Sequence, residues 1–117
     1  KKKVMIVDDS EFVRNTLKRI VSENGCEVVG EATEGTELLS ILKTKSVDLV
    51  ILDIKMPGMD GITALKHIKS EYPKVKVIMC SAMTDQQVID SVIELGANGY
   101  VTKPFLPEAI IYSIGNI

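Results

Sequence analysis

VMIVDD, at residues 4–9, consists of four apolar residues that lead directly into two carboxylates. VILD, at residues 50–53, repeats the form with a single acid. Continuous runs of Val, Ile and Leu are typical of strands that are buried on both faces, as in parallel sheets. An open parallel sheet collects its functional residues at the carboxyl ends of its strands. The pattern therefore predicts that Asp8, Asp9 and Asp53 converge in one acidic pocket.

Outward from these stretches, strand-like and helix-like segments alternate to the end of the chain. The predicted strands are residues 3–8, 27–32, 47–53, 76–81 and 99–102. Right-handed crossovers between them place helices on both faces of a five-stranded parallel sheet. This is an α/β, doubly wound (βα)5 fold, and the flavodoxin-like strand order 2-1-3-4-5 would put the ends of strands one and three side by side. We predict one domain over residues 1–117.

The segments between the strands carry helix signals. Thr33 is the predicted N-cap of the second helix, and residues 84–87 form a capping box for the fourth. Pro107 suits the first position of the fifth helix. Apolar stripes predict that the first helix buries Phe12 among other residues, and that the fifth buries Ile111.

Composition excludes several classes of protein. A formal net charge of -2, from 14 basic and 16 acidic residues, offers no basic patch for nucleic acid. The short apolar runs are far below the ~20 residues of a membrane span, and no signal peptide precedes the first strand, so we expect a cytoplasmic protein. Cys26 and Cys80 are predicted to pack in the core, and a single histidine, His67, cannot complete a zinc site with them.

The acidic pocket has a chemical use. Three close carboxylates repel one another unless a cation is present, and Mg²⁺ prefers oxygen ligands, commonly one or two carboxylates plus a phosphate. A carboxylate such as Asp53 can attack a phosphoryl group to form an aspartyl phosphate. Ser81 ends the fourth strand and Lys103 follows the fifth, so a hydroxyl and an ammonium group could both reach that phosphoryl group.

Four motifs occur together in one order along the chain. They are VDDS at 7–10, DIKMPGMDG at 53–61, CSA at 80–82 and KPF at 103–105. With these motifs the sequence resembles the receiver domain of two-component response regulators, and in size it is similar to the stand-alone chemotaxis members of that family. Each motif alone is weak, but the set covers nearly the whole chain.

The resemblance implies a reaction and a metal site. Asp53 would be the phosphoacceptor, and a sensor histidine kinase, CheA-like if the pathway is chemotaxis, would supply the phosphoryl group. Mg²⁺ would be held by Asp9, Asp53 and the backbone carbonyl of Lys55, with Asp8 contributing through water. The protein would not be an enzyme acting on other substrates, although it would catalyse its own phosphorylation and dephosphorylation.

The resemblance also implies a switch. Lys103 would contact the phosphoryl group, Ser81 would turn towards it, and Tyr100 would fill the space behind Ser81. The surface of helix four, strand five and helix five would then change and control a downstream protein partner. A monomer is expected, and the peptide bond between Lys103 and Pro104 is usually cis in this family.

Lys55 and Met83 flank, by family analogy, the path of the water that hydrolyses the phosphoaspartate. The best-known chemotaxis members have an amide and a carboxylate at these positions. A cation and a bulky apolar group in their place are predicted to slow the loss of the phosphoryl group, by pairing with it or by obstructing water.

The same residues are compatible with interpretations other than a stand-alone receiver domain. Asp8 and Asp9 could merely favour the start of the first helix. A haloacid-dehalogenase-type phosphatase would have a second Asp where this chain has Lys55, and an FMN-binding flavodoxin would need a hydroxyl- and glycine-rich loop after strand one. The open alternative is that the chain is the receiver portion of a longer regulator with a DNA-binding or enzymatic output domain.

Overall fold

The computed structural model describes residues 1–117, in which strands and helices alternate around one parallel sheet. The elements are, in chain order, β1 (Lys2–Val7), α1 (Glu11–Glu23), β2 (Cys26–Ala32), α2 (Gly35–Leu42), β3 (Leu49–Leu52), α3 (Gly61–Glu71), β4 (Lys76–Ser81), α4 (Gln86–Glu94), β5 (Gly99–Thr102) and α5 (Pro107–Gly115). The strand order is β2-β1-β3-β4-β5. The predicted fold class and strand order are confirmed.

The two central strands explain the apolar runs of the sequence. β1 lies between β2 and β3, and β3 lies between β1 and β4. Met5 pairs with Val50 and Val7 with Leu52, and all four are buried. Because helices cover both faces of the sheet, neither face of these strands tolerates the polar alternation of a half-exposed strand.

The helices divide into two layers with separate cores. Leu38, Leu65 and Val92, from α2, α3 and α4, belong to the core on one face of the sheet. Leu17 of α1 and Ile110 of α5 belong to the core on the other face. None of the five helices combines the length and the hydrophobicity that crossing a bilayer requires.

Both cysteines lie in the second core as free, buried thiols. Burial raises the pKa of the Cys80 thiol to about 12. The thiolate is the reactive form, so Cys80 is inert at neutral pH and serves packing. This agrees with the role predicted for Cys26 and Cys80.

The helix starts differ from the sequence prediction at two places. The N-cap of α2 is Glu34 and not Thr33, because the Glu34 carboxylate accepts from the backbone N–H groups of Thr36 and Glu37. The N-cap of α4 is likewise Asp85, whose side chain accepts from the N–H of Gln87. In both helices, a carboxylate one residue after the expected cap, Thr33 or Thr84, outcompetes the threonine hydroxyl for the N-cap position.

Two exposures and two strand ends were also predicted wrongly. Phe12 of α1 is 79% exposed and Ile111 of α5 is 39% exposed, so neither completes an inward stripe. The strands β1 and β3 end one residue earlier than predicted, at Val7 and Leu52. The acids that follow them therefore stand just beyond the strands, where the chain turns towards a helix.

Candidate functional site

The acids after β1 and β3 are placed side by side by the sheet itself. Asp53 donates its N–H to the carbonyl of Val7 (3.0 Å), and Asp8 donates its N–H to the carbonyl of Ala32 (3.1 Å). The ladder of hydrogen bonds thus runs one residue past each strand. Since β1 and β3 are neighbours, their carboxylates emerge at the same edge.

Asp8, Asp9 and Asp53 form the acidic group that the sequence predicted. Each offers a carboxylate oxygen, and these oxygens all lie within 4.8 Å of one another. Asp8 is 1% exposed and Asp53 is 6% exposed, whereas Asp9 faces solvent. Buried charges require partners, so the neighbouring cation decides how this group is held.

Lys103 is that cation. Its Nζ lies 2.6 Å from Oδ2 of Asp8 and 3.2 Å from Oδ2 of Asp53. The backbone N–H of Lys103 donates to the carbonyl of Ser81 (2.8 Å), which fixes the lysine beside the end of β4. The structure thus joins three strand ends, those of β1, β3 and β5, through one ammonium group.

One ammonium group does not balance the negative charge of the three carboxylates, as the directions of the pKa shifts indicate. Burial, and next the charge of Asp8, raises the pKa of Asp53 above its ordinary value, despite the nearby Lys103. Burial also opposes the charge of Lys103, but the hydrogen bond to Asp8 and the charge of Asp53 outweigh it and raise the pKa of Lys103. Three carboxylates facing one ammonium are left with excess negative charge, which suits a further cation.

A cleft of about 600 Å³ gives access to Asp53 from solvent. Its lining includes every predicted site residue except Tyr100 and the buried Asp8. The lining residues are Asp9, Asp53, Lys55, Ser81, Ala82, Met83, Thr84, Asp85 and Lys103. Within the cleft, Oδ1 of Asp53 accepts from the N–H of Ile54 (2.8 Å), so one oxygen is held by the backbone and the other by Lys103.

The start of α3 packs directly against the backbone of Asp53. Gly61 donates its N–H to the carbonyl of Ile54 (2.8 Å). A Cβ on Gly61 would overlap the backbone carbonyl oxygen of Asp53. Glycine at this position is therefore required for the close approach of helix and strand end.

The two predicted switch residues hold one loop. Ser81 accepts from the N–H of Met83 through its hydroxyl oxygen (3.2 Å), and the Tyr100 hydroxyl donates to the Met83 carbonyl (2.7 Å). Ser81 is 1% exposed and Tyr100 is partly buried. The loop between β4 and α4 is thus attached to the acidic site on one side and to β5 on the other.

The comparisons with known proteins agree with this geometry. Residues 4–114 match the family model described as the response regulator receiver domain. The chain belongs to the receiver domain family of two-component response regulators. A receiver of this family has a histidine kinase as its phosphodonor partner and a downstream target, and receiver domains bind Mg²⁺ at an acidic pocket.

Several relatives resemble this receiver domain over almost its whole length. The chemotaxis protein CheY of Bacillus subtilis is 44% identical over 112 residues, which are 96% of this chain and 93% of that protein. The CheY protein of Thermotoga maritima is 41% identical, covering 99% of this chain and 97% of that protein. The response regulator UvrY of Escherichia coli is 35% identical, but the match covers only 53% of UvrY.

A solved structure of a relative has the same fold. The crystal structure of the CheX-CheY-BeF3-Mg complex from Borrelia burgdorferi matches with a TM-score of 0.94 and 33% identity. The match covers 97% of this chain and 86% of that one. The cis peptide bond between Lys103 and Pro104, which the resemblance implied, is present in this receiver domain.

The site also contains features that the sequence did not single out. Arg14 donates from Nη1 to the backbone carbonyl of Asp8 (2.8 Å), and Asp85 lines the cleft besides capping α4. For Arg14, the sequence offered one signal, namely an arginine one turn into a helix that follows two acids. His67 lies away from the site on α3, half exposed, with Nδ1 3.5 Å from Oε1 of Glu71.

Proposed function

We propose that Asp53 accepts a phosphoryl group from a histidine kinase, and that the new charge causes a conformational change at a partner-binding surface. One observation carries this proposal. The acids Asp8, Asp9 and Asp53 meet the ammonium of Lys103 at adjacent strand ends, at the bottom of an open cleft. Because relatives that are 38–44% identical over nearly the whole chain are chemotaxis proteins, we assign the donor to the CheA-like class.

The transfer needs no base, because a carboxylate is already ionised at neutral pH. An oxygen of Asp53 forms the bond to phosphorus while the bond from phosphorus to the histidine nitrogen of the kinase breaks, and that nitrogen keeps the electron pair. The Ile54 N–H holds the other carboxylate oxygen in place. Lys103 Nζ, 3.2 Å from Asp53, stands where it can contact the oxygens of the phosphoryl group.

The donor set fits Mg²⁺. It consists of oxygen atoms within 4.8 Å of one another, with no nitrogen or sulfur ligand among them, and it carries excess negative charge. Asp9, Asp53 and the Lys55 carbonyl would hold the ion, with Asp8 acting through water. When bound, Mg²⁺ neutralises charge on the transferring oxygens. The Borrelia relative, whose complex contains BeF3 and Mg, supports this assignment.

Phosphorylation replaces the single negative charge of the Asp53 carboxylate with a phosphoryl group that carries roughly 1.5 to 2 negative charges and several acceptor oxygens. To donate to them, the Ser81 side chain would turn towards Asp53, and this rotation would break the hydrogen bond that its oxygen accepts from the Met83 N–H. Met83 is also held by Tyr100, so the change reaches β5. The adjoining surface of α4, β5 and α5 exposes Ile93, Leu106 and Tyr112, at 45%, 71% and 73%. We propose this surface as the binding site of the downstream protein.

The acceptor is tested with acetyl phosphate and intact-mass measurement. The unsubstituted chain is expected to gain one phosphoryl group with Mg²⁺ and none after chelation. Asp53→Asn should not be labelled, since an amide is not a nucleophile of this kind. Asp85→Asn, in the same cleft but outside the acidic group, is the matched control and should be labelled. Undiminished labelling of Asp53→Asn would reject the assignment.

The output surface is tested by backbone amide NMR before and after addition of beryllofluoride and Mg²⁺. Shifts are expected at the cleft and along α4, β5 and α5, while α2, which packs against β2 at the opposite end of the strand order, stays unchanged. Shifts confined to the cleft would contradict the proposed path through Met83 and Tyr100.

A further inference from the structure

Arg14 connects the acidic site to a group of ion pairs on the surface. Its Nη1 donates to the backbone carbonyl of Asp8 (2.8 Å), and its Nε donates to Oε1 of Glu31 on β2 (2.8 Å). Lys18, one turn further along α1, binds the other Glu31 oxygen at 2.6 Å. The Arg14 side chain is only 12% exposed, so its position is restricted on both sides.

The Asp8 carbonyl needs this contact. β1 ends at Val7, and the Asp8 carbonyl accepts no backbone hydrogen bond. The rest of the residue is held elsewhere, with its N–H on Ala32 and its carboxylate on Ser10 and Lys103. The guanidinium thus supplies the last partner of the peptide that turns from strand to helix.

We propose that Arg14 is a positioning residue for the cation site. By holding the Asp8 carbonyl, it sets the direction of the turn from which the carboxylates of Asp8 and Asp9 project. Glu31 fixes the guanidinium, and Lys18 contacts only the other oxygen of Glu31. Arg14 itself contacts neither the cation nor the phosphoryl group. This inference rests on the proposed function, because it assumes that the acids hold a divalent cation.

Loss of the positive charge alone would affect cation binding in the opposite direction to loss of positioning. Arg14 and Lys18 are both cations bound to Glu31, so removing either charge makes the acidic pocket more negative and should tighten cation binding. Loss of positioning instead weakens binding, and only Arg14 reaches the Asp8 carbonyl. Arg14→Met and Lys18→Met are therefore matched variants whose effects differ in sign if positioning dominates.

The experiment is a calorimetric titration of MgCl₂ and CaCl₂ into each variant. Arg14→Met is expected to weaken Mg²⁺ binding about tenfold, in the range found for partners that orient metal ligands. Binding of Ca²⁺ should weaken less, because Ca²⁺ accepts flexible coordination whereas Mg²⁺ needs near-ideal octahedral geometry. Lys18→Met should bind both ions as the unsubstituted chain does, or slightly more tightly. Arg14→Lys should remain weak, since an ammonium cannot replace the planar fork.

Amide hydrogen exchange of the metal-free chain gives a second readout. The Ser10 N–H, bonded to Oδ1 of Asp8 at 2.9 Å, should exchange faster in Arg14→Met and not in Lys18→Met. Glu31→Gln, which keeps an acceptor for Arg14 but loses its charge, should show a smaller change of the same sign, and it serves if Arg14→Met does not fold.

Unchanged or tighter Mg²⁺ binding by Arg14→Met, or full rescue by Arg14→Lys, would overturn the inference. Absence of Mg²⁺ binding by the unsubstituted chain would instead contradict the proposed function. Exchange at Ser10 would then still decide whether Arg14 holds the turn.

Discussion

The edge of the sheet where the strands begin (the amino edge) and the edge where they end (the carboxyl edge) hold their polar groups in different ways. At the amino edge, Oδ1 of Asn98 accepts from the N–H of Val77 (2.9 Å) and from Nζ of Lys69 (3.0 Å). Lys69 also donates to the carbonyl of Val75 (2.9 Å). At the carboxyl edge, two buried carboxylates share a single ammonium.

The difference separates stability from function. The acceptors at the amino edge are neutral, and the exposed Asn98 side chain supplies the partner that the N–H of the buried Val77 needs, which adds stability. Carboxylates that outnumber their cation cost stability. The carboxyl edge should therefore tolerate the loss of a carboxylate charge. It should not tolerate added bulk, because the start of α3 packs directly against the backbone of Asp53. The amino edge should not tolerate the loss of its side-chain hydrogen bonds.

Added bulk at the carboxyl edge should have the largest effect. Gly61→Ala places a methyl group on the backbone carbonyl of Asp53, so we expect a loss of about 3 kcal/mol in the free energy of unfolding. The measurement is urea denaturation. Gly115→Ala is the control, because a new Cβ on this last residue of α5 would meet nothing within 4 Å. Equal losses in the two variants would contradict the requirement at Gly61.

Loss of the Asn98 side chain should have the next largest effect. Asn98→Ala removes the acceptor of the Val77 N–H and of Lys69, which should cost about 2 kcal/mol in the free energy of unfolding. Asn116→Ala, which removes an exposed side-chain bond to the Tyr112 carbonyl, should change it by less than about 0.5 kcal/mol. A cost at Asn98 no larger than at Asn116 would remove the contrast between the edges.

Loss of charge at the carboxyl edge should stabilise the metal-free chain. Asp53→Asn leaves Asp8 and Lys103 as a simple pair at 2.6 Å, and we expect the free energy of unfolding to rise by about 1 kcal/mol. Thermal melts in chelator measure this, and Asp90→Asn on the exposed side of α4 should be neutral. A destabilised Asp53→Asn would mean that Lys103 already balances both acids.

The smallest effect concerns the rim of the same edge. Lys55 and Met83 line the cleft beside Asp53. The double variant Lys55→Asn, Met83→Glu should lose its phosphoryl group about threefold faster, or roughly 0.7 kcal/mol in activation free energy, because it admits water more readily. Hydrolysis is followed by intact mass after removal of the donor, with the exposed Lys66→Asn as the control. An unchanged rate would reject a role for this pair.

The sequence was a good guide where chemistry follows local pattern. Buried strands must be continuously apolar, so the runs before Asp8 and Asp53 predicted the central strands. The strand order was expected from the flavodoxin-like pattern and not from the runs. The sequence was a poor guide at Thr33 and Thr84, because neighbouring caps differ by little in free energy and the final packing of each helix chooses between them.

The strands, and the acids, hydroxyl and lysine at their ends, follow from the amino-acid sequence alone, because periodicity and strand-end position are local properties. Only the tertiary structure decided that Phe12 and Ile111 face solvent, since the rotation of a helix on the sheet depends on all its contacts. It alone brought Arg14 to the Asp8 carbonyl and Glu31 to Arg14, because β2 and α1 meet only once the sheet has formed.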